Sequence, residues 1–128
     1  MATKQREKAK ARQEARKNGP VLASLRGLRM SARKVRVIAD LVRGEKVGDA
    51  LINLAFQRRA AAGPLRRLLD SAVANASENG LNVDKLVVDE ILVHKGAIGR
   101  RFMPRAQGRA SPIRKQTTHI DVSLVEAV

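Results

Sequence analysis

Seven lysines and arginines stand between Ile91 and Ile120 without one aspartate or glutamate, in the stretch ILVHKGAIGRRFMPRAQGRASPIRKQTTHI. Guanidinium and ammonium groups at that density suit one kind of chemistry, pairing with phosphate oxygens, arginine through a bidentate fork and lysine as a point charge. A solvated face normally mixes signs because like charges held together repel. An acid-free run of this length therefore calls for a partner that supplies negative charge, and nucleic acid is the commonest one.

The whole composition agrees, with 26 basic against 12 acidic residues in 128 and a net charge of +14. Polyanion binding is the first expectation from such a balance. The chain has two Phe and no Tyr or Trp. Modules that read single strands stack bases on several aromatic side chains, so a chain this poor in aromatics is expected to grip folded nucleic acid through phosphates and shape.

Other chemistries find little support. The absence of cysteine excludes disulfides, thiol catalysis and cysteine zinc sites, and is compatible with a reducing compartment. His94 and His119 are the only histidines. Opposite strand ends would bring them together, but no acid within the basic run can orient either ring, so they read as structural or RNA-contacting. Asp89 and Glu90 are not an acid pair, since adjacent strand residues point to opposite faces. Gly96-Ala97-Ile98-Gly99 lacks the following helix of a nucleotide loop. No catalytic residue, metal ligand or cofactor is expected. No apolar run approaches the roughly 18 residues of a membrane span. The first residues, MATKQREKAKARQEARKNGP, lack the apolar core of a secretory signal, and Glu7, Glu14 and a first serine at Ser24 fit a transit peptide poorly.

The elements that position the basic run follow from periodicity. Residues 1–19 hold seven basic side chains and nothing apolar larger than Ala except Met1, so they read as a basic, flexible extension able to order on RNA. Residues 20–128 form one compact domain with enough Val, Leu, Ile and Ala for a modest core. VLASLRGLRM, residues 21–30, reads as a short strand. Ser31 reads as the N-cap of a helix whose Val35, Ile38, Ala39 and Val42 share one face, with Gly44 as its stop. Arg33, Lys34 and Arg36 then sit in its first turns, where cations oppose the helix dipole. With the Ser31 hydroxyl and free backbone N–H groups these three cations read as a phosphate clamp, the alternative being ordinary exposed cations. Val47, Ala50, Leu51 and Leu54 predict a second helix. Leu65, Leu68, Leu69, Ala72, Val73 and Ala76 predict a third, stopped at Asn79-Gly80. Arg58, Arg59, Arg66 and Arg67 lie off its stripe and read equally as solvated face or RNA contact.

Beyond Leu81 the period becomes extended. VVDEILVH, residues 87–94, is a strand, and Ile120, Val122 and Leu124 alternate with polar residues in another. Pairing Leu86 to His94 antiparallel with Thr117 to Val125 centres the bend near Ala106, beside the turn chemistry of Gln107-Gly108. Residues 95–116 then project about 11 residues per strand, roughly 35 Å at about 3.3 Å per residue. A body of this size has a radius of gyration of only about 12 Å, so the arm must protrude. The expected fold class is α+β, three helices on a small antiparallel sheet with a long protruding β-hairpin. A two-stranded ribbon weakened by Pro104, Pro112 and its glycines is marginal in water. Phosphates are its expected support.

Four separated motifs occur in one order: Ser31-Ala32-Arg33-Lys34-Val35-Arg36 with Ala39-Asp40-Leu41-Val42-Arg43-Gly44, Ser71-Ala72-Val73-Ala74-Asn75-Ala76, Met103-Pro104-Arg105-Ala106, and Gly108-Arg109-Ala110. In these the chain resembles the L-twenty-two family of large-subunit ribosomal proteins, of bacterial type, over about residues 21–126. It departs from the family pattern at Ala32, commonly Pro, at Thr118, usually Ser, and at Ser111-Pro112, where an acid commonly follows. Pro112 is the departure able to disturb strand pairing.

The resemblance implies a structural, non-enzymatic protein in the cytoplasmic ribosome. It implies a body on the outer surface of the large subunit bound to 23S-type rRNA, with neighbouring ribosomal proteins as partners and no membrane or homo-oligomer. The hairpin would line the nascent-peptide exit tunnel and meet the nascent peptide. By position, Gly99, Arg100, Arg101, Met103, Pro104 and Arg105 would approach the tunnel wall, with Gln107, Gly108 and Arg109 at the tip. The expected rRNA-binding set is Arg29, Ser31, Arg33, Lys34, Arg36, Lys95, Arg100, Arg101, Arg105, Arg109, Arg114 and Lys115. The alternative reading is a DNA-bending architectural protein whose basic ribbon enters a minor groove with Met103 and Pro104 as a wedge.

Overall fold

The structure is a computed structural model that describes residues 2–17 and 19–127. Its elements in order are α1 (Ala2–Lys17), β1 (Val21–Leu28), α2 (Ala32–Val42), α3 (Val47–Phe56), α4 (Ala62–Glu78), β2 (Leu86–Pro104) and β3 (Ala110–Glu126). The helix α1 was not among the expected elements. It is built from Ala, Lys, Arg, Gln and Glu, the strongest helix formers, and lacks an apolar stripe. Its residues 4–12 are exposed.

The other three helices form where their apolar spacing places them. Val35, Ile38, Ala39 and Val42 of α2 are fully buried, as are Leu65, Leu69, Ala72 and Ala76 of α4. Val47, Ala50 and Leu54 of α3 join them, while Leu51 and Val73 pack at the margin. Gly44 and Gly80 end α2 and α4 at φ 80° and 79°, a left-handed conformation that glycine adopts without penalty. At the second of these stops Leu81 N donates to Ala76 O, satisfying a carbonyl the helix leaves free.

The sheet order is β1-β3-β2, all antiparallel, so the C-terminal strand is central. Ile120, Val122 and Leu124 on β3 align with Ile91, Val93 and Val88 on β2 and with Val21 and Ala23 on β1 to present one buried face to the helices. Thr118 is the buried polar residue on β3 nearest the arm, and its Oγ1 donates to Met30 O at 2.6 Å.

The outer edge of β2 is covered by the segment after α2. Gly44 N donates to Val88 O and Val88 N donates to Glu45 O, both at 2.9 Å. Farther along, Arg43 Nη2 donates to Ile91 O at 2.9 Å and Arg36 Nη2 to Val93 O at 3.1 Å. Arg36 of α2 and Arg43 just after it thus occupy successive outward carbonyls of an edge strand that would otherwise be open to pairing.

The expected pairing of β2 with β3 is present, with Val87 opposite Val125 and His94 opposite His119. Its bend differs by one residue. Val87↔Val125 is centred on Ala106, whereas the last pair, Pro104↔Ala110, is centred on Gln107. The cause is two register shifts, between Val88 and Glu90 and between Lys95 and Ile98, each of which places an extra residue on β2. The first shift also corrects the reading of Asp89 and Glu90. At a bulge the alternation fails, and both carboxylates are exposed. Pro112 does not disturb the ribbon, since it lies opposite Phe102 with no register shift beside it.

Candidate nucleic-acid interface

The arm leaves the body at the second bulge. Gly96 and Ala97 both face Thr117, whose Oγ1 donates to Ala97 O at 2.6 Å. No residue from 94 to 117 is buried. Beyond the bulge the register sets which side chains share a face, because strand residues alternate. Ile98, Arg100, Phe102 and Pro104 share one face with Gln116, Arg114, Pro112 and Ala110. Gly99, Arg101 and Met103 share the other with Lys115, Ile113 and Ser111. Arg100 is directly opposite Arg114, a like-charge pair that destabilises an isolated ladder. Because Arg101 and Lys115 charge the opposite face, the ribbon is cationic on both sides and suits a surrounding groove better than a flat surface.

At the tip, Arg105 N donates to Arg109 O at 2.7 Å. The chain reverses through Gln107 at φ 60° and Gly108 at φ 69°. Gln107 and Gly108 therefore lie at the extremity of the arm, flanked by Arg105 and Arg109. Lys95 lies at its base.

A second basic feature sits where the arm joins the body. A cleft of about 830 Å³ is lined by Arg29, Met30, Ser31 and Lys34 from the β1–α2 junction, by Arg59, Ala60 and Ala61 from the α3–α4 turn, and by Arg114, Lys115 and Gln116 from β3. Among the described residues, five cations and no acid line it. A smaller hollow of about 300 Å³ beside α3 is lined by Lys46, Asp49 and Asp84 among others, and so carries both signs.

The clamp expected at the start of α2 is only partly assembled. Arg29, Ser31 and Lys34 meet in the cleft with Arg114 and Lys115. Arg33 is exposed outside it. Arg36 turns the other way, onto the Val93 carbonyl, because its place on α2 faces the edge of β2. Ser31 occupies the N-cap position with extended backbone but its side chain makes no capping hydrogen bond, so the hydroxyl is not spent on the helix as expected. Arg59 belongs to the cleft although it read equally as solvated face. Its position off the apolar stripe of α4 was visible, but its approach to β3 was not.

The two histidines are placed by the sheet. Gly27 N donates to His119 Nδ1 at 3.0 Å, bridging the irregularity in β1 to the central strand. His94 Nε2 lies 3.8 Å from Asp121 Oδ2, and Arg26 Nη2 lies 2.9 Å from Asp121 Oδ1. The acid that the basic run lacks is thus Asp121, two residues beyond His119 on β3, where it pairs with Arg26 and lies beside His94. Among the described residues no helix is long and apolar enough to cross a membrane.

Residues 23–125 match the family model described as ribosomal protein L22p/L17e. The chain is 52% identical over 108 residues to the large ribosomal subunit protein uL22 of Myxococcus xanthus (strain DK1622), covering 82% of this chain and 95% of that protein. It is 50% identical over 105 residues to the protein of the same description from Syntrophotalea carbinolica, covering 81% and 96%. A third, from Anaeromyxobacter sp. (strain K), is 50% identical over 118 residues, covering 86% of this chain and 81% of the relative.

Proposed function

Because this chain belongs to the ribosomal protein L22p/L17e family, we propose that it binds and organises large-subunit rRNA while its β2–β3 arm lines the nascent-peptide exit tunnel. It acts as a structural protein of the large subunit, in the ribosomes of the bacterial cytoplasm. The observation that carries this reading is the arm itself: a ribbon with no buried residue from 94 to 117, cationic on both faces, with Arg100 set against Arg114.

The mechanism is charge neutralisation with a fixed geometry. The arm's cations bridge phosphates of RNA segments that would otherwise repel one another, and the RNA supplies the support that a marginal two-stranded ribbon lacks. Arg100, Arg101, Arg105, Arg109, Arg114 and Lys115, with Lys95 at the base, take the phosphates along the arm. Arg29, Lys34 and Arg33 take those at the body, and Ser31 adds a hydroxyl. Arg36 contributes by holding the edge of β2 to α2, from which the arm is aimed. Gly99, Met103, Pro104 and the Gln107-Gly108 turn carry less charge and form the surface offered to the tunnel and to the nascent peptide. Neighbouring ribosomal proteins complete the surroundings.

Binding of the isolated chain to folded large-subunit rRNA tests the proposal. The affinity should fall steeply with salt, by about 0.7 to 0.9 log unit per log unit of salt for each phosphate neutralised. Replacing Arg100, Arg101, Arg105 and Arg109 together by Ala should make that slope shallower by roughly three units. An affinity nearly independent of salt contradicts it.

A further inference from the structure

The cleft at the base of the arm differs from the arm in shape, and the shape selects a ligand. A duplex presents a convex backbone, which can touch the rim of a hollow but not enter it. A half-open hollow of about 830 Å³ has room for a molecule of ligand dimensions. We infer that this cleft takes a single nucleotide swung out of the rRNA stack, its base against Met30 and Ala60 and its phosphates on the surrounding cations. The inference rests on the rRNA-binding reading and deepens it.

The lining has both halves of what an extruded nucleotide requires. Half-buried Met30 and exposed Ala60 offer apolar contact to a base, while Arg29, Lys34, Arg59, Arg114 and Lys115 hold the charge. Among the described residues no aromatic side chain lines the cleft to stack the base, but the planar guanidinium of arginine fills that role in RNA recognition. Among the described residues none of the five cations has an ion pair or a side-chain hydrogen bond, in contrast to Arg26, Arg36 and Arg43, which are engaged within the body. The Ser31 hydroxyl, not used as a helix cap, lies in the same lining and can exchange hydrogen bonds with a base edge or a ribose 2′-hydroxyl. Two of its walls are tied to each other. Thr118, fully buried, fixes the Met30 carbonyl from β3, and Arg114 to Gln116 belong to the same strand.

The test uses the full chain bound to folded large-subunit rRNA, with methionine replaced by its diazirine analogue, which is nearly isosteric and leaves the body folded. After irradiation, the peptide containing residue 30 is isolated and its attached nucleotide mapped. The expected result is one adduct position, at an unpaired nucleotide, with a yield at least fivefold lower when Arg59→Glu places an acid in the cleft. Adducts only at paired nucleotides, adducts scattered over many positions, or none from residue 30 in a bound complex overturn the inference. In those cases steep salt-dependent binding by the unlabelled chain leaves the rRNA reading standing. Failure of the unlabelled chain to bind overturns both.

Discussion

Gly96 lies so close to Thr117 that a Cβ added to it would come within 2.5 Å of Thr117 Oγ1 and 3.1 Å of His119 Nε2. This contact sits at the bulge from which the arm departs, so the absence of a side chain at residue 96 and the direction of the arm are one feature. Gly96→Ala should destabilise the chain by about 1 to 3 kcal/mol, because the Thr117 side chain must swing away and give up its bond to Ala97 O. Thermal unfolding measures the cost. Combining it with Thr117→Ala should recover about 1 kcal/mol of it as a coupling term. Strict additivity would show that the two residues do not meet.

Thr118 is the buried tie between β3 and the β1–α2 junction. Thr118→Val keeps the shape but strands the Met30 carbonyl, and denaturant unfolding should show a loss of about 1 to 3 kcal/mol. Thr118→Ser keeps the hydroxyl and should lose less, since only one methyl group is removed. Equal losses for the two variants would mean that packing, not the hydrogen bond, holds the junction.

The cations of α2 divide into two groups with opposite phenotypes. Arg36→Ala with Arg43→Ala should lower stability by about 1 kcal/mol and promote self-association through the uncovered edge of β2, measured by unfolding and light scattering. Arg33→Ala with Lys34→Ala should leave stability within about 0.5 kcal/mol while weakening rRNA binding. Exchange of the two outcomes would contradict the assignment of Arg36 to the body.

Much of this fold was legible because burial writes a period into the sequence. Val35, Ile38, Ala39 and Val42 could only be one face of a helix, and Ile120, Val122 and Leu124 one face of a strand. Neighbours were not legible in the same way. Alternation tells which way Ile120 points but not that β3 lies between β1 and β2, and neither bulge has a periodic signature, so the bend was placed at Ala106 when it lies at Gln107. The arm could be read from its acid-free charge and its two flanking strands because all of these lie in one continuous stretch of the chain. The cleft could not, since Lys34, Arg59 and Lys115 are brought together only by tertiary folding. Nothing but propensity marks α1 in the sequence, because it has no apolar stripe.

The arm should behave as a ribbon that depends on its partner. Hydrogen exchange on the free chain should find residues 95–116 almost unprotected while the Ile120 to Leu124 segment, buried at the centre of the sheet, exchanges slowly. Strong protection in the arm would show that it supports itself and would remove the argument that RNA must hold it.

The most direct test of the central claim is a density map of an assembled large subunit containing this chain. Residues 95–116 should be enclosed by rRNA, with cations of both faces against phosphates and Gln107 to Arg109 at the wall of the exit tunnel. An arm lying on the solvent surface, or a tunnel wall built without it, would contradict the account.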